Sequence, residues 1–224
     1  MEPTRSVAVP SIPDNDLLNG VQGHALRMDG TTNVTLANYE GTCLFQNTST
    51  GLTISLWMKY GNKTGGDSQT FFTLGDNADG GARLQIDQPN TTVEEVGVLS
   101  NVRGRRLFIR FSCPWNIWTH ILVTWDGVTS SIIVYRNAVP VDDVYYDICF
   151  GCINDTHAYS AHLGGIDNAQ APNGSFDEIA MWCRELNYTE VQEVYRYYKA
   201  IVNKRSCYVQ IDSTRGLIRT QEKC

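Results

Sequence analysis

The chain has 224 residues, of which 42% are hydrophobic and 19% are charged, so it is long and apolar enough to bury a core. Its formal net charge of −6 disfavours nucleic acid and anionic membrane surfaces as partners. No apolar run approaches the roughly 20 residues that a membrane-spanning helix needs, so direct membrane insertion is not expected.

The first half of the chain has the pattern of an N-terminal arm followed by short strands. Residues 1–20 are rich in proline, asparagine and aspartate, which is typical of an arm or linker. Strand-like segments then follow near residues 24–28, 32–36, 52–60, 70–74, 82–87, 94–99 and 105–111. Because no helical period interrupts them, they predict an all-β sandwich.

A denser strand pattern comes next. Residues 118–125 combine β-branched and aromatic side chains, and both faces of the segment carry apolar bulk. Such a segment is predicted to be a central strand that is covered on both sides. Asp126 and Gly127 open a turn, after which residues 132–135 return antiparallel and residues 139–141 form a short third strand.

The C-terminal part predicts two more strands and one helix. The strands lie near residues 159–164 and 175–183. Thr189 and Gln192 have the spacing of a capping box, which predicts the start of a helix. One face of this helix carries an apolar stripe, formed by Val191, Val194, Tyr195 and Tyr198. We expect the stripe to pack against the edge of a sheet.

Together these elements predict one antiparallel all-β sandwich with one short C-terminal helix. The domain is expected to span residues 21–200. Residues 1–20 are expected to form the arm, and the more basic residues 201–224 a cysteine-containing tail beyond the domain.

Four segments resemble, in the same order, the signature segments of laminin G-like, concanavalin A-like jelly-roll domains. They read W-T-H-I-L-V-T-W-D-G at residues 118–127, H-A-L-R-M-D-G at 24–30, L-T-I-S-L-W-M at 52–58 and G-S-F-D-E-I-A-M-W at 174–182. The resemblance covers about residues 20–200 and implies a jelly-roll fold. Ala138 departs from it, because the family usually has glycine there. Pentraxins share the architecture, but Leu122 stands where they have a cysteine, so a true pentraxin is not expected.

Seven asparagines begin an N-x-[ST] sequon, whereas chance would place about two or three in a chain of this composition. They are Asn33, Asn47, Asn62, Asn90, Asn154, Asn173 and Asn187. This excess predicts a glycoprotein that is made in the secretory pathway. We therefore expect an extracellular location, as a fragment of a larger secreted or cell-surface protein.

The cysteines agree with an oxidising compartment. There are seven, at Cys43, Cys113, Cys149, Cys152, Cys183, Cys207 and Cys224. They predict up to three disulfides with one cysteine left over. Cys207 and Cys224 are expected to close the tail on itself. Cys149 and Cys152 are expected either to pair with each other or to join Cys113 or Cys43.

No catalytic residue is predicted. Endoglucanases of the laminarinase type share the jelly-roll architecture and need an E-x-D-x-[x]-E pattern, which places a nucleophile and an acid on either side of the scissile bond. Here no glutamate has an aspartate two positions later. His120 lies within the predicted central strand, where a hydrogen-bonded core histidine is favoured over a catalytic one. The chain is therefore expected not to be an enzyme.

Calcium is the expected cofactor, in a structural role, because it prefers oxygen ligands from loops. Asp76 and Asp79 cluster in one loop with Asn77, although they also fit an ordinary turn. Asp29 and Asp177 lie in segments that resemble the family, and the resemblance implies that acidic groups at these edges can hold an ion. Both also have simpler interpretations: Asp29 as a turn residue before Gly30, and Asp177 as a cap or as a member of an ion pair at the edge. An edge site is favoured over the loop.

The predicted function is recognition. The resemblance implies an extracellular module that binds a glycan, a matrix component or a protein partner. One alternative is a structural spacer in a large receptor ectodomain. A glycan-active enzyme with an unrecognised site is a further alternative, which the missing carboxylate pattern disfavours.

Overall fold

The structure is a computed structural model. It describes residues 17–19, 24–31, 33–38, 51–61, 68–75, 82–89, 93–102, 105–126, 128–129, 131–141, 160–165, 170–205, 211–212 and 217–218. These segments form β1 (Leu17–Asn19), β2 (His24–Asp29), β3 (Val34–Asn38), β4 (Leu52–Tyr60), β5 (Gln69–Gly75), β6 (Ala82–Gln88), β7 (Glu95–Val102), β8 (Arg105–Ser112), β9 (Thr119–Trp125), β10 (Ile132–Arg136), β11 (Val139–Pro140), β12 (Ser160–Leu163), β13 (Asn173–Trp182), α1 (Tyr188–Arg205), β14 (Ile211–Asp212) and β15 (Leu217–Ile218).

The strands build two antiparallel sheets that pack face to face. One sheet has seven strands in the order β1-β2-β13-β4-β9-β10-β11, and the other has six in the order β3-β12-β5-β6-β7-β8. Neighbours such as β13 and β4 are distant in sequence, which is the crossover pattern of a jelly roll. Among the described strands, the short β14 and β15 pair only with each other. The predicted fold class is confirmed.

The interior between the sheets is apolar. Strand alternation sends every second side chain of each sheet inward. The largest fully buried side chains include Tyr60, Phe71, Phe72, Phe176, Ile54, Leu56, Met58, Leu74, Leu84, Ile86 and Ile109. They come from strands of both sheets, so one continuous core joins the two layers.

The predicted central strand is confirmed. Every residue of β9 is buried, and the strand lies between β4 and β10. Ile121, Val123 and Trp125 face the interior of the sandwich. Leu122 lies on the opposite face, in a second cluster with Leu186 and other residues beneath the helix. Both faces of the strand are therefore covered, as its apolar bulk predicted.

Helix α1 covers part of the outer face of the seven-stranded sheet. Tyr195 stacks on Trp57 of β4 and lies beside His120 of β9, which are both on central strands. Val191 is fully buried in the second cluster. The prediction that the helix has an apolar stripe is confirmed. The expectation that this stripe would pack at a sheet edge is wrong, because it packs on the face.

The capping box lies two residues before the predicted one. Oδ1 of Asn187 accepts a hydrogen bond from the Glu190 backbone N–H, and the Glu190 carboxylate accepts one from the Asn187 N–H. Asn187 is thus the N-cap and Tyr188 the first helical residue. The prediction for Thr189 and Gln192 is wrong, since Gln192 instead donates to the backbone oxygen of Ala138 at 2.6 Å.

Ala138 occupies the turn where the family usually has glycine. Its φ is 62° and that of the preceding Asn137 is 53°, so both adopt the left-handed conformation of a tight hairpin turn. Alanine is strained at such a φ. Its methyl group, however, is fully buried beneath α1. Burial of this group offsets part of the strain.

The regular structure extends past both predicted domain limits. β1 pairs with β2 at the margin of the seven-stranded sheet, although its residues fall within the predicted arm. Helix α1 continues to Arg205, five residues beyond the expected limit at 200. Among the described residues, no helix is long and apolar enough to cross a bilayer.

Candidate functional site

The outer face of the six-stranded sheet carries polar side chains over its centre. On β6, Leu84 and Ile86 point into the core, so the alternating residues Arg83, Gln85 and Asp87 point outward. We refer to the outward-facing residues of this sheet as the polar face. It comprises Thr35, Thr70, Thr73, Arg83, Gln85, Asp87, Glu95, Gly97, Leu99, Phe108, Arg110 and His162.

Strand register aligns these residues in rows. One row crosses the whole sheet, through Thr35, His162, Thr73, Gln85, Leu99 and Phe108. A second row, next to the first, consists of Thr70, Asp87, Gly97 and Arg110. Residues from separate strands are thereby brought within about 5 Å of their cross-strand neighbours.

A hydrogen-bonded network holds the middle of the polar face. Nε2 of Gln85 donates to Oγ1 of Thr70 at 2.7 Å, and that hydroxyl donates to Oε1 of Gln170 at 3.1 Å. Oγ1 of Thr73 donates to the backbone oxygen of Gly164 at 2.9 Å. Gln85 and the two threonines are all at most 4% exposed. Their side chains are thus locked before any ligand arrives.

Asp87 is the unusual member of the face. Its Oδ2 lies 3.4 Å from Nε2 of Gln85, and its Oδ1 is buried without a hydrogen-bond partner among the described residues. Burial raises the pKa of Asp87 from 3.8 to about 7, although Arg83 and Arg110 act in the opposite direction. A carboxylate oxygen without a donor is costly to bury in its ionised form, which is the physical reason for the raised pKa of Asp87.

An aromatic ring lies beside Asp87. A Cβ atom on Gly97 would come within 2.3 Å of the tip of the Phe108 ring, so the absence of a side chain lets this ring lie across the strand. The Arg110 guanidinium is 4.7 Å from the ring centroid, and its Nε is 3.5 Å from the Glu95 carboxylate. The row through Asp87 therefore combines an apolar surface with charged groups of both signs.

Such a combination suits a sugar. Sugars present hydroxyl groups in the ring plane and apolar C–H groups on the ring faces. Binding sites for small molecules combine apolar surface with a few placed polar groups, and a carboxylate or an amide orients the ligand. Phe108 offers the apolar surface, and Asp87 and Arg110 offer the polar groups.

A serine–histidine pair lies elsewhere, beneath helix α1. Nε2 of His120 is 2.8 Å from Oγ of Ser55, and Nδ1 has no hydrogen-bond partner among the described residues. Both residues are 0% exposed. Burial lowers the pKa of His120 to about 3, so the ring is neutral. A substrate has no access to this pair, and the interpretation of His120 as a core histidine is confirmed.

The structure does not bring the two edge carboxylates together. Asp29 pairs across the strands with Asn173, whereas Asp177 lies four residues further along β13, about 13 Å away at ~3.3 Å per residue. Oδ1 of Asp29 accepts hydrogen bonds from Thr31 N–H and Oγ1–H, which lower the pKa of Asp29. Oδ1 of Asp177 accepts one from the Glu178 N–H. Asp76 and Asp79 lie outside the described residues.

The described part of the chain holds no group of three or more metal-ligating side chains. Asp177 and the adjacent Glu178 sit at an irregularity in the pairing of β13 with β4, and Glu178 has a φ of 49°. An ion at this edge would thus need further oxygen ligands besides these two carboxylates. Calcium stays a prediction.

Three of the seven sequons can be described. Asn187 is exposed at the start of α1. Asn173 is half-buried within β13, where its Oδ1 is 3.4 Å from Nη2 of Arg27. Asn33 is also half-buried, and its Nδ2 donates to the backbone oxygen of Gly165 at 2.7 Å. Asn47, Asn62, Asn90 and Asn154 lie outside the described residues.

Two cysteines can be placed. Cys183 is disulfide-bonded, and its partner lies outside the described residues. Cys113, by contrast, is a free thiol within the described part of the chain, and burial raises its pKa to about 11. The alternative in which Cys113 pairs with Cys149 or Cys152 is wrong. These two cysteines, and Cys43, Cys207 and Cys224, lie outside the described residues.

Reasoning from the sequence missed the polar face. The available signal was the alternation of Arg83, Gln85 and Asp87 with apolar residues on one strand. That pattern is typical of any solvated strand face, so it does not distinguish a site. The relevant feature is the position of Gly97 and Phe108 on the next two strands, which depends on register.

The two-sheet sandwich, the helix on one face and the polar face on the other define a lectin-like jelly-roll domain. Residues 29–192 match the laminin G-like family model described as the concanavalin A-like lectin/glucanases superfamily, and the chain belongs to that family. The resemblance drawn from the sequence segments is confirmed. No curated protein sequence matches the chain.

Solved structures show the same fold at low identity. The binding domain of botulinum neurotoxin serotype G has a TM-score of 0.60 and 14% identity, covering 81% of this chain and 45% of that chain. The binding domain of Paraclostridial mosquitocidal protein 1 has a TM-score of 0.61 and 16% identity, with coverage of 81% and 45%. This chain thus spans less than half of either of those chains.

A third structure is matched over most of both chains. Domain 4 of AbnA, a GH43 extracellular arabinanase from Geobacillus stearothermophilus in complex with arabinotriose, has a TM-score of 0.58 and 18% identity, covering 80% of each chain. At such identities the similarity shows the fold alone.

Proposed function

We propose that the chain is a non-catalytic, extracellular recognition domain that binds a glycan on its polar face. The observation that carries the proposal is the row of Asp87, Gly97 and Arg110, in which the Arg110 guanidinium is exposed and lies 4.7 Å from the centroid of the Phe108 ring. The ring of Phe108, which lies across Gly97, adds the apolar surface.

The comparisons support a binding role. The titles of the neurotoxin and mosquitocidal structures describe binding domains, and the arabinanase domain is in complex with arabinotriose. These properties belong to those proteins. For this chain they favour glycan recognition over a purely structural spacer, because the polar face offers groups that suit a sugar.

Catalysis is not part of the proposal. Glycoside hydrolysis needs two carboxyl groups that flank the scissile bond. Within the described part of the polar face the carboxylates are Asp87 and Glu95, and Glu95 is paired with Arg110 at 3.5 Å. The second carboxylate that hydrolysis would need is therefore held in an ion pair with Arg110, which favours binding without hydrolysis.

A glycan array tests the proposal. The domain is expressed in a secretory host, and the wild-type protein is compared with Phe108→Leu and with the control Tyr197→Ala, whose side chain lies on α1, on the other side of the sandwich. We expect the wild type and the control to bind the same oligosaccharides, and Phe108→Leu to lose most of the signal.

A parallel panel of matrix proteins tests the alternative. Binding to a matrix protein with no glycan bound would contradict glycan recognition and indicate a protein partner. If Phe108→Leu has an unchanged melting temperature and binds the array as well as the wild type, the assignment of the glycan-binding site to the polar face is wrong.

A further inference from the structure

Arg110 on β8 presents an exposed guanidinium on the polar face. Its side chain is 58% exposed, and its Cζ atom lies 4.7 Å from the centroid of the Phe108 ring. Its Nε lies 3.5 Å from the Glu95 carboxylate, so one edge of the guanidinium is turned toward β7. The two terminal amino groups have no hydrogen-bond partner among the described residues. They are therefore available to donate to a ligand.

The ring of Phe108 supports this guanidinium. Because Gly97 has no side chain, the ring lies across β7 and is held there. A guanidinium that rests on an aromatic ring and is fixed at Nε loses little conformational freedom when it binds a ligand. Its two terminal N–H groups form a fork that matches the two oxygens of a carboxylate. A lysine ammonium in the same place would supply the charge without this geometry.

The charge of the two strands also favours an anion. Between residues 95 and 112, the hairpin of β7 and β8 carries four arginines and one glutamate, whereas the whole chain has a net charge of −6. The arginines are Arg103, Arg105, Arg106 and Arg110. The hairpin is thus a basic element of an acidic protein. An anionic ligand is repelled by the net charge of the molecule and attracted to this hairpin.

The two carboxyl groups near Arg110 do not cancel its charge. Glu95 approaches only Nε, and both side chains are partly exposed, so solvent weakens the attraction between them. Oδ1 of Asp87 is inaccessible, and burial raises the pKa of Asp87 to about 7, so this group is largely protonated at pH 6. At that pH, Arg83 and Arg110 outnumber the one ionised carboxylate of the described polar face, which leaves an excess of positive charge.

We propose that Arg110 determines the ligand specificity of the polar face, and that its terminal amino groups donate a pair of hydrogen bonds to the carboxylate of an acidic sugar. This inference rests on the proposed function of the same face. It assigns the ligand class as glycans that contain uronic acids, in preference to neutral glycans.

The test is calorimetric titration at pH 6 with the trimers of galacturonic acid and glucuronic acid, and with the methyl ester of each trimer. The ester keeps the sugar rings and their linkages but removes the negative charges, so it is the matched control ligand. We expect at least one acidic trimer to bind about 10-fold more tightly than its ester, because hydrogen bonds to charged groups are the stronger ones. This preference should shrink at high salt, since both groups are partly exposed.

Variants assign the preference to the guanidinium. Arg110→Gln should remove it, and Arg110→Lys, which keeps the charge but not the fork, should retain only about a threefold preference. Glu95→Gln removes a negative charge beside the ligand and should raise the affinity for the acidic trimer about threefold, with no change for the ester. Arg196→Gln removes an exposed arginine of α1, on the other side of the sandwich, and should behave as the wild type.

The outcomes separate this inference from the function on which it rests. Esters that bind as tightly as the acids would overturn the assigned ligand class while glycan recognition stands. A preference for the acids that Arg110→Gln retains, with an unchanged melting temperature, would overturn the role of Arg110. Failure of every trimer and ester to bind, together with an empty glycan array, would contradict the proposed function and this inference with it.

Discussion

The rings of Trp57 on β4 and Tyr195 on α1 stack with their centroids 5.7 Å apart and their planes 13° apart. The ring of His120 on β9 contacts both of them. Its centroid lies 5.2 Å from the centroid of the Trp57 ring and 5.7 Å from that of the Tyr195 ring. Above the tyrosine, Nζ of Lys199 lies 5.2 Å from the ring centroid. This layer joins the helix to two central strands, so the helix is part of the folded core.

Replacing Trp57 with alanine should destabilise the domain by about 3–5 kcal/mol, as expected for truncation of a buried aromatic side chain. Trp57 is 4% exposed, whereas Tyr197 on the same helix as Tyr195 is 60% exposed. Tyr197→Ala is the matched control and should change stability by less than about 0.5 kcal/mol. Urea unfolding measures both. Equal stability of Trp57→Ala and the wild type would show that the helix does not dock as described.

The coupling between the two stacked rings can be measured separately. A double-mutant cycle with Trp57→Ala and Tyr195→Ala should give an interaction free energy of about 0.5–1.5 kcal/mol. A coupling of zero would contradict the stacked geometry.

Asp87→Asn should stabilise the domain at alkaline pH. The pKa of Asp87 is raised from 3.8 to about 7, so the folded state holds its proton longer than the unfolded state and stability falls as pH rises across that interval. One pKa unit corresponds to about 1.4 kcal/mol, which sets an upper limit of about 4 kcal/mol, and relaxation reduces the expected gain to about 1–2 kcal/mol. Thermal melts at pH 4.5 and 8 test it. At pH 4.5, which is still above the unfolded-state pKa of 3.8, the gain should fall to about a quarter of its value at pH 8, and a gain that is independent of pH would be inconsistent with this carboxyl group.

His120 should make the domain less stable as the pH falls, whereas Asp87 makes it less stable as the pH rises. Its pKa is lowered from 6.5 to about 3, so its contribution is fully present above pH 6.5 and is lost as the pH falls toward 3. In His120→Gln the amide can still bond to Ser55 but does not titrate. Stability measured between pH 4 and 7 should fall less steeply in this variant than in the wild type. Parallel curves would mean that His120 is not the buried neutral group described.

In a secretory host, Asn187 should carry a glycan. Its side chain is exposed and uses Oδ1 for the helix cap, which leaves Nδ2 for the sugar. Asn187→Asp removes the glycan but retains a capping oxygen, and Thr189→Ala removes the sequon without changing the cap. Each should lower the intact mass by one glycan with little change in stability. An unchanged mass in both variants would show that the site is not used.

Asn33 should be occupied less than Asn187. Its Nδ2 is engaged with Gly165, and a Cβ atom on Gly164 would lie 2.0 Å from its Oδ1, so the side chain is closely surrounded. Mapping of glycopeptides gives the occupancy of both sites. Equal occupancy in the folded, secreted protein would contradict this ranking.

Calcium should raise the melting temperature through Asp177. Stabilisation by a bound ion follows RT ln(1 + [L]/Kd), about 2.7 kcal/mol at a hundredfold excess over Kd. Asp177→Asn should abolish the shift, because Asp177 and the adjacent Glu178 are the carboxylates at this edge and the change removes the charge of one of them. Asp29→Asn should not, since Asp29 lies beside Asn173, about 13 Å from Asp177 at ~3.3 Å per residue. Melts in calcium and in chelator measure the effect. Identical wild-type melting curves in calcium and in chelator would show that calcium does not stabilise the domain. A shift that is lost only in Asp76→Asn would place the calcium site in the loop that carries Asp76 and Asp79.

Much of the fold could be predicted from local pattern. Residues 118–125 have apolar bulk on both faces, and this alone predicted a strand covered on both sides, as β9 is. The helix was predicted from its 3.6-residue period, but its start was placed two residues late. Both Asn187 and Thr189 suit an N-cap, and the reciprocal bond with Glu190 selects the first.

Alternation and short motifs are local properties of the chain, and they were enough to predict the strand pattern, the family and the burial of His120. The row formed by Asp87 of β6, Gly97 of β7 and Arg110 of β8, by contrast, exists only in the packed fold. It likewise left Cys113 as a free, buried thiol. The physical reason is register: a shift of one residue in strand pairing would send Asp87 toward the core, and the hydrophobic interior that prevents this shift exists only when both sheets have packed.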